Sequence, residues 1–175
     1  MKLKMIVFCV LTALMFHVPC NARERNELRI VPYADVNRYM GAWFEIAKIP
    51  HWFEKGLAGT MINFELLDDG KVLVTVQAYK NNFEGKYYSK ILTAEIADRQ
   101  TNTTIVVDFF LFFTGTFYVV ELGGNYDYAV VGNESREKAW ILSRSPRISP
   151  ELYDDLLKRM QMNGFDISKL EKTIQ

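Results

Sequence analysis

Histidine and cysteine, side chains that commonly attack, abstract protons or hold metals, are few in this chain. Its two histidines are His17 and His51, and its two cysteines are Cys9 and Cys20. His17 and both cysteines fall in an apolar leader, which leaves His51, between Pro50 and Trp52, as the one histidine of the body. A serine–histidine–acid triad or a histidine metal cluster needs partners that this distribution does not supply. A glycine-rich phosphate loop is also missing from the sequence. The residues therefore call for no catalytic group, no metal and no cofactor. What they do offer is recognition chemistry: Gly41-Ala42-Trp43 opens one alternating segment, and Arg144 ends another, Trp140-Ile141-Leu142-Ser143-Arg144. A planar guanidinium stacked on an indole contributes on the order of 1 kcal/mol. Such a contact is structural, and the elements carrying it would have to meet at one end of a closed fold.

The start of the chain has its own logic. Lys2 and Lys4 precede an apolar run from Met5 to Phe16, followed by His17-Val18-Pro19-Cys20-Asn21-Ala22. A basic start, a short apolar stretch and a small-residue exit describe a secretory signal peptide over residues 1–22, too short to span a bilayer. Residues 23–175 then form one domain, exported to the periplasm or outer membrane. Ordinary cleavage follows Ala22; the alternative is lipidation of Cys20, which would tether the domain. The residue before Cys20 is Pro19, whereas lipoprotein signals have a small residue there. Removing the leader takes Lys2 and Lys4 from the 21 basic residues and none of the 21 acids, leaving 19 against 21. A near-neutral surface without a basic stripe excludes an electrostatic footprint for nucleic acid. Without cysteines the body has no disulfide, so packing must stabilise it.

Alternating runs predict eight strands, at residues 42–49, 60–67, 71–80, 86–97, 103–113, 116–122, 126–132 and 138–144. Residues 23–38 are polar and predict a segment crossing the outside. Asp68-Asp69-Gly70 is a hairpin signal between Ile62, Phe64, Leu66 and Val72, Val74, Val76. One helix follows, with Ser149 as N-cap, Pro150 in the first turn and Gly164 at its end, its Leu152, Leu156 and Met160 face covering the last strands. Phe165-Asp166-Ile167 is expected to add a short closing strand. The fold class is all-β with one C-terminal helix: eight short strands with tight turns favour an antiparallel up-and-down β-barrel. A barrel of that size can hold one small ligand.

Period-two parity then assigns an interior. With Trp43 turned inward, Glu45 and Ala47 share the inner side of the first strand, and Trp140 and Leu142 that of the eighth. Ile62, Phe64, Val72, Val74, Val76 and Ala78 line the middle strands, with Tyr118 offering a hydroxyl. Such a lining is mostly apolar with few polar groups and suits an acyl chain. Glu45 must be protonated, paired with a cation or bound to a polar headgroup. Lys48, Lys55, Lys80 and Lys86 lie toward the other end, where Trp52, Phe53, Phe83, Phe112 and Phe113 form an aromatic rim. The fifth strand, Ile105-Val106-Val107-Asp108-Phe109-Phe110-Leu111-Phe112-Phe113, is apolar on both faces, so its outer face offers contact to a second subunit or a membrane surface.

Gly41-x-Trp43, Asn125-Tyr126-Asp127-Tyr128-Ala129 and Arg144 resemble the three short conserved patterns of the lipocalins. Phe53-Glu54-Lys55-Gly56-Leu57, Trp140-Ile141-Leu142-Ser143-Arg144-Ser145-Pro146 and Gly164-Phe165-Asp166-Ile167-Ser168-Lys169-Leu170 are further similar to the family's bacterial, outer-membrane-lipoprotein and apolipoprotein D-like branch. The middle pattern lacks the family's threonine-aspartate start. The resemblance covers residues 35–170 and implies a lipocalin barrel closed at the end where Gly41, Trp43 and Arg144 meet. It also implies non-catalytic binding or transport of fatty acids or lysophospholipids in the cell envelope, with a role in membrane maintenance. An enzyme acting on a lipid or isoprenoid inside the same barrel is the alternative, and an interaction protein using the fifth strand is a third.

Overall fold

A computed structural model describes residues 27–50, 56–110 and 113–175. The expected leader with Cys20, the rim residues Trp52, Phe53 and Phe112, and His51 and Lys55 lie outside the described residues. Eight antiparallel strands form a closed barrel: β1 (Gly41–Ile49), β2 (Leu57–Leu66), β3 (Lys71–Lys80), β4 (Tyr87–Ile96), β5 (Thr104–Phe110), β6 (Phe113–Leu122), β7 (Tyr128–Gly132) and β8 (Ala139–Ser143). Each strand pairs with the next, and β1 closes the ring by pairing with both β2 and β8. The alternation of branched and aromatic residues with polar ones dictates this, because only a sheet can bury every second side chain.

The chain differs from its sequence pattern at three places. Residues 23–38 do more than cross the outside: Asp35 caps a four-residue helix α1 (Val36–Tyr39), accepting from the amides of Asn37 and Arg38. The fifth strand stops at Phe110 and the sixth begins at Phe113, where a single strand to residue 113 was expected. No closing strand forms at residues 165–167. Phe165 is instead buried under the helix, a 3₁₀ turn spans Ile167–Lys169, and the strand is β9 (Glu171–Lys172).

That last element solves a closure problem. β1 pairs with β2 only over Gly41–Phe44, and beyond this the two strands part. The C-terminal residues fill the gap. β9 pairs with Ala47 and Lys48, the Thr173 amide donates to the Ile46 carbonyl, and the Gly59 amide donates to the Ile174 carbonyl. The Gln175 side-chain amide donates to the carbonyls of Glu45 and Thr60 at 2.8 and 2.9 Å. Main-chain groups that parting strands would leave unpaired are thereby satisfied.

Outside the barrel, helix α2 (Pro150–Met162) starts where Ser149 accepts from the Leu152 amide and ends at Asn163 and Gly164. Its Leu156 and Met160, with Phe165, pack on Ile46, Ala47, Ile49, Val120, Val130, Ala139 and Ile141, the outer side chains of β1, β6, β7 and β8. A second core, Tyr39, Trp43, Val119, Ala129 and Leu142, lies inside the barrel at the α1 end. One layer of strands thus separates an external, helix-covered core from an internal one.

Candidate functional site

The closed end is held by one side chain. The Arg144 guanidinium lies 3.8 Å above the Trp43 ring. It donates to the carbonyls of Ala42, Arg38, Tyr39 and Met40 at 2.7 to 3.1 Å. Trp43 Nε1 donates to the Tyr39 carbonyl at 2.8 Å, so indole and guanidinium both tie α1 to β1. Gly41 has φ +93°, a conformation side chains resist, and an added methyl there would stand 3.4 Å from Arg144 Nη1. The Tyr39 ring sits 5.1 Å from Trp43 and completes the floor. Its hydroxyl is buried with no hydrogen-bond partner among the described residues, and burial pushes the phenol well above its ordinary range against the opposing pull of the Arg144 charge.

Above this floor lies a cavity. Its wall is Tyr39, Ile62, Phe64, Val74, Val76, Leu92, Ile105, Val107, Phe109, Phe117, Val131, Trp140 and Leu142. The unfilled space is about 610 Å³ including its open mouth, but only about 90 Å³ has room for the centres of water-sized bodies. The smaller figure sets the bore: at roughly 10–15 Å³ per water on that measure it holds a file of several waters. Register shows why these side chains converge. Ile62 and Phe64 pair with Val76 and Val74, Val74 pairs with Leu92, Ile105 pairs with Phe117, and Val131 pairs with Trp140. Directly opposed residues of antiparallel strands point to the same face. Phe109, Phe117 and Trp140 form an edge-on aromatic run with centroids 5.9 and 5.2 Å apart. Gly115 makes the run possible, since a methyl there would approach Phe109 to 2.8 Å and Phe117 to 2.9 Å.

Of the residues that parity assigned to the interior, Ile62, Phe64, Val74, Val76, Trp140 and Leu142 are on this wall. Val72 and Ala78 are buried but away from it. Two assignments to the interior need correction, Ala47 and Tyr118. Ala47 packs under α2, because the β1–β8 register shifts between Glu45 and Ala47 and reverses the parity beyond the bulge. Tyr118 points outward, because its neighbours Phe117 and Val119 are the inward pair. Glu45 faces inward but does not reach the cavity wall.

The same bulge accounts for Glu45. Glu45 pairs with Leu142 and Lys48 with Trp140, so both face the interior although an odd spacing in a regular strand would separate them. Lys48 Nζ donates to Glu45 Oε1 at 2.7 Å and Thr173 Oγ1 donates to it at 2.6 Å. Both charged groups are about 5 % exposed or less. Of the lysines read as headgroup contacts, Lys48 is thus committed to a buried ion pair, and Lys80 and Lys86 are exposed.

Sequence reasoning missed Leu92, Ile105, Val107, Phe109, Phe117 and Val131, together with Tyr39. At the mouth, Phe83, Tyr87 and Phe113 are 53 %, 51 % and 73 % exposed. On β5, outward Asp108 is exposed beside half-buried Val106, so charge interrupts the face expected to be apolar throughout. Among the described residues no group of three histidine, cysteine, aspartate or glutamate side chains is placed to hold a metal. No described helix is long and apolar enough to cross a membrane.

Comparison with known proteins agrees with this geometry. A family model described as a lipocalin-like domain matches residues 34–175. The chain is 34 % identical over 159 residues to outer membrane lipoprotein Blc of Escherichia coli K12, covering 90 % of this chain and 89 % of that protein. It is 31 % identical to temperature-induced lipocalin-1 of Arabidopsis thaliana over 160 residues, 87 % of this chain and 85 % of the relative. Insecticyanin of the tobacco hornworm Manduca sexta shares the fold with a TM-score of 0.67 at 24 % identity, over 85 % of each chain. A barrel closed by Trp43 and Arg144, a model match through its whole length and relatives above 30 % identity along most of the chain lead to one assignment: the chain belongs to the lipocalin family.

Proposed function

We propose that this protein is a non-catalytic carrier that holds one acyl lipid, a fatty acid or lysophospholipid, in the cell envelope and serves membrane maintenance. Lipocalins bind small hydrophobic ligands, and the observation that carries the finer reading is the cavity itself, narrow and walled almost wholly by hydrocarbon and aromatic side chains. Water in such a bore gains few hydrogen bonds, so displacing it with methylenes is favourable by about 0.8 kcal/mol for each one buried. The names of the bacterial relatives, outer membrane lipoproteins, support export through a leader at residues 1–22 and residence in the periplasm or at the outer membrane. Anchoring there requires a modified Cys20. The exposed Phe83, Tyr87 and Phe113 support a membrane surface as the place of loading, ahead of a second copy of the chain.

The alternative, a lipid- or isoprenoid-modifying enzyme, requires a nucleophile beside a base, and the one hydroxyl of the wall, that of Tyr39, has no hydrogen-bond partner among the described residues. Turnover of a candidate lipid by purified protein would favour it.

Native mass spectrometry of freshly purified protein tests the carrier. A population carrying one lipid mass per chain is the expected result, with any modification of Cys20 read in the same spectrum. A chain free of lipid that also fails to take up added fatty acid or lysophospholipid would sink the proposal.

A further inference from the structure

The floor of the cavity carries a hydrogen-bonding group that the fold does not use. Tyr39 is 3 % exposed, and its hydroxyl is the one hydroxyl of the cavity wall. It is buried with no hydrogen-bond partner among the described residues. Buried donors are almost always paired, because an unpaired one forfeits its contacts with water and gains nothing in return. Burial keeps the phenol protonated far above neutral pH, so it presents an O–H to whatever meets it. The opposing pull of Arg144 means that the guanidinium places a positive potential at this oxygen, which favours an electron-rich atom beside the hydroxyl. Two spaces meet at Tyr39. Besides the main cavity, a side chamber with about 20 Å³ of room for the centres of water-sized bodies shares Tyr39, Phe64 and Ile105 with it as a partition. Asn102 is the other hydrogen-bonding side chain of the chamber wall, and its amide already donates to the Ala34 carbonyl at 3.1 Å. A water there would meet at most two polar side chains, the low end of what holds one in place.

We propose that the Tyr39 hydroxyl is a recognition point at the cavity floor for an oxygen carried at the far end of the guest, so that the barrel favours acyl chains oxygenated at the ω position over chains ending in a methyl group. This rests on the carrier reading. A terminal methyl against Tyr39 leaves the hydroxyl unpaired, whereas an ω-alcohol or ω-carbonyl oxygen accepts from it. The other polar side chains of the floor are committed. Arg144 donates to the carbonyls of Ala42, Arg38, Tyr39 and Met40, and Trp43 Nε1 donates to that of Tyr39. Glu45 and Lys48 hold each other at 2.7 Å and are not part of the wall. Around the hydroxyl the wall residues Phe64 and Ile105 offer only apolar contact, so the contrast between a paired and an unpaired end is not blurred by a second donor. The preference depends on length, because only a chain whose end reaches the floor meets Tyr39.

The test is isothermal titration calorimetry with two matched series, decanoate, dodecanoate, pentadecanoate and hexadecanoate against their ω-hydroxy counterparts, in wild type and Tyr39→Phe. That substitution removes the hydroxyl and keeps both the ring and the carbonyl to which Arg144 and Trp43 donate. At each length the affinity of the hydroxylated member is divided by that of the plain one, so a general change in the cavity cancels. In wild type the ratio should peak at one length. At that length it should be about tenfold higher than in Tyr39→Phe, the worth of one hydrogen bond to a buried donor. The peak in wild type is a test by itself should the variant not fold. A ratio that does not vary with length in wild type would overturn the subsite and leave the hydroxyl to a water in the side chamber. A peak that survives in folded Tyr39→Phe would overturn it too, and in both cases binding of the plain series keeps the carrier reading intact. If no member of either series binds, the carrier reading fails and the subsite with it.

Discussion

At the closed end a single guanidinium donates to the carbonyls of Arg38, Tyr39, Met40 and Ala42 while lying on an indole, and the rings of Trp43 and Tyr39 beside it are buried. At the mouth, Phe83, Tyr87 and Phe113 stand more than half exposed. Cation and rings at the floor are thus used to fix the chain, whereas the rings at the mouth are left open to solvent. Aromatic rings at the two ends differ in burial. Substitutions at the floor should therefore cost stability, whereas those at the mouth should alter binding with little change in stability.

The largest expected loss is at the floor. Trp43→Ala removes a fully buried indole and the surface on which Arg144 rests, and should lower unfolding stability by about 3–5 kcal/mol in urea titration. A loss below about 1 kcal/mol would show that the floor is not what holds the barrel closed.

Lys48→Met should come next. It leaves Glu45 buried beside Thr173 without its cation, at a cost of about 3 kcal/mol. Replacing both, Glu45→Leu with Lys48→Met, should recover most of that loss. Urea midpoints for these two variants, for Glu45→Leu alone and for wild type give the coupling directly. An additive result would mean that the pair does not act as a unit.

Phe113→Glu probes the other side of the comparison. With a side chain 73 % exposed, its stability should stay within about 0.5 kcal/mol of wild type. Co-sedimentation with vesicles of neutral phospholipid should nevertheless drop, and unchanged co-sedimentation would remove the mouth as the membrane-facing end.

The smallest effect concerns acid. At the closed end the Thr101 hydroxyl, then the Gln100 amide, hold the Asp98 carboxyl below its ordinary value. A depressed folded-state value means that the contribution is present above the unfolded value of 3.8 and disappears as pH falls through the folded one. Melting curves of Asp98→Ala and wild type should differ slightly at neutral pH and converge in strong acid. A gap that persists there would point to packing as its source.

How far the sequence could be read depended on contrast between faces. Strands two, three and eight alternate cleanly, so Ile62, Phe64, Val74, Val76, Trp140 and Leu142 could be placed inward by counting. β5 is apolar on nearly every residue, and counting could not separate Ile105, Val107 and Phe109 from Val106. Ala47 failed because one bulge reverses parity and leaves no mark in composition. Helix α1 is four residues long, below any helical period, and only Asp35 before it marks its start. The C-terminal segment is polar and unpatterned, and its place between β1 and β2 follows from a gap that only the closed barrel defines.

The central claim is that the bore between Trp140, Val76 and Phe64 holds one acyl chain. The most direct measurement is titration of the protein with a fluorescent fatty acid, in parallel for wild type and Val76→Trp, with melting curves establishing that both are folded. Wild type should saturate at one ligand per chain, and Val76→Trp, whose indole fills the bore, should bind at least about tenfold more weakly. Absence of saturable binding in the wild type, or equal binding by a folded Val76→Trp chain, would contradict the account.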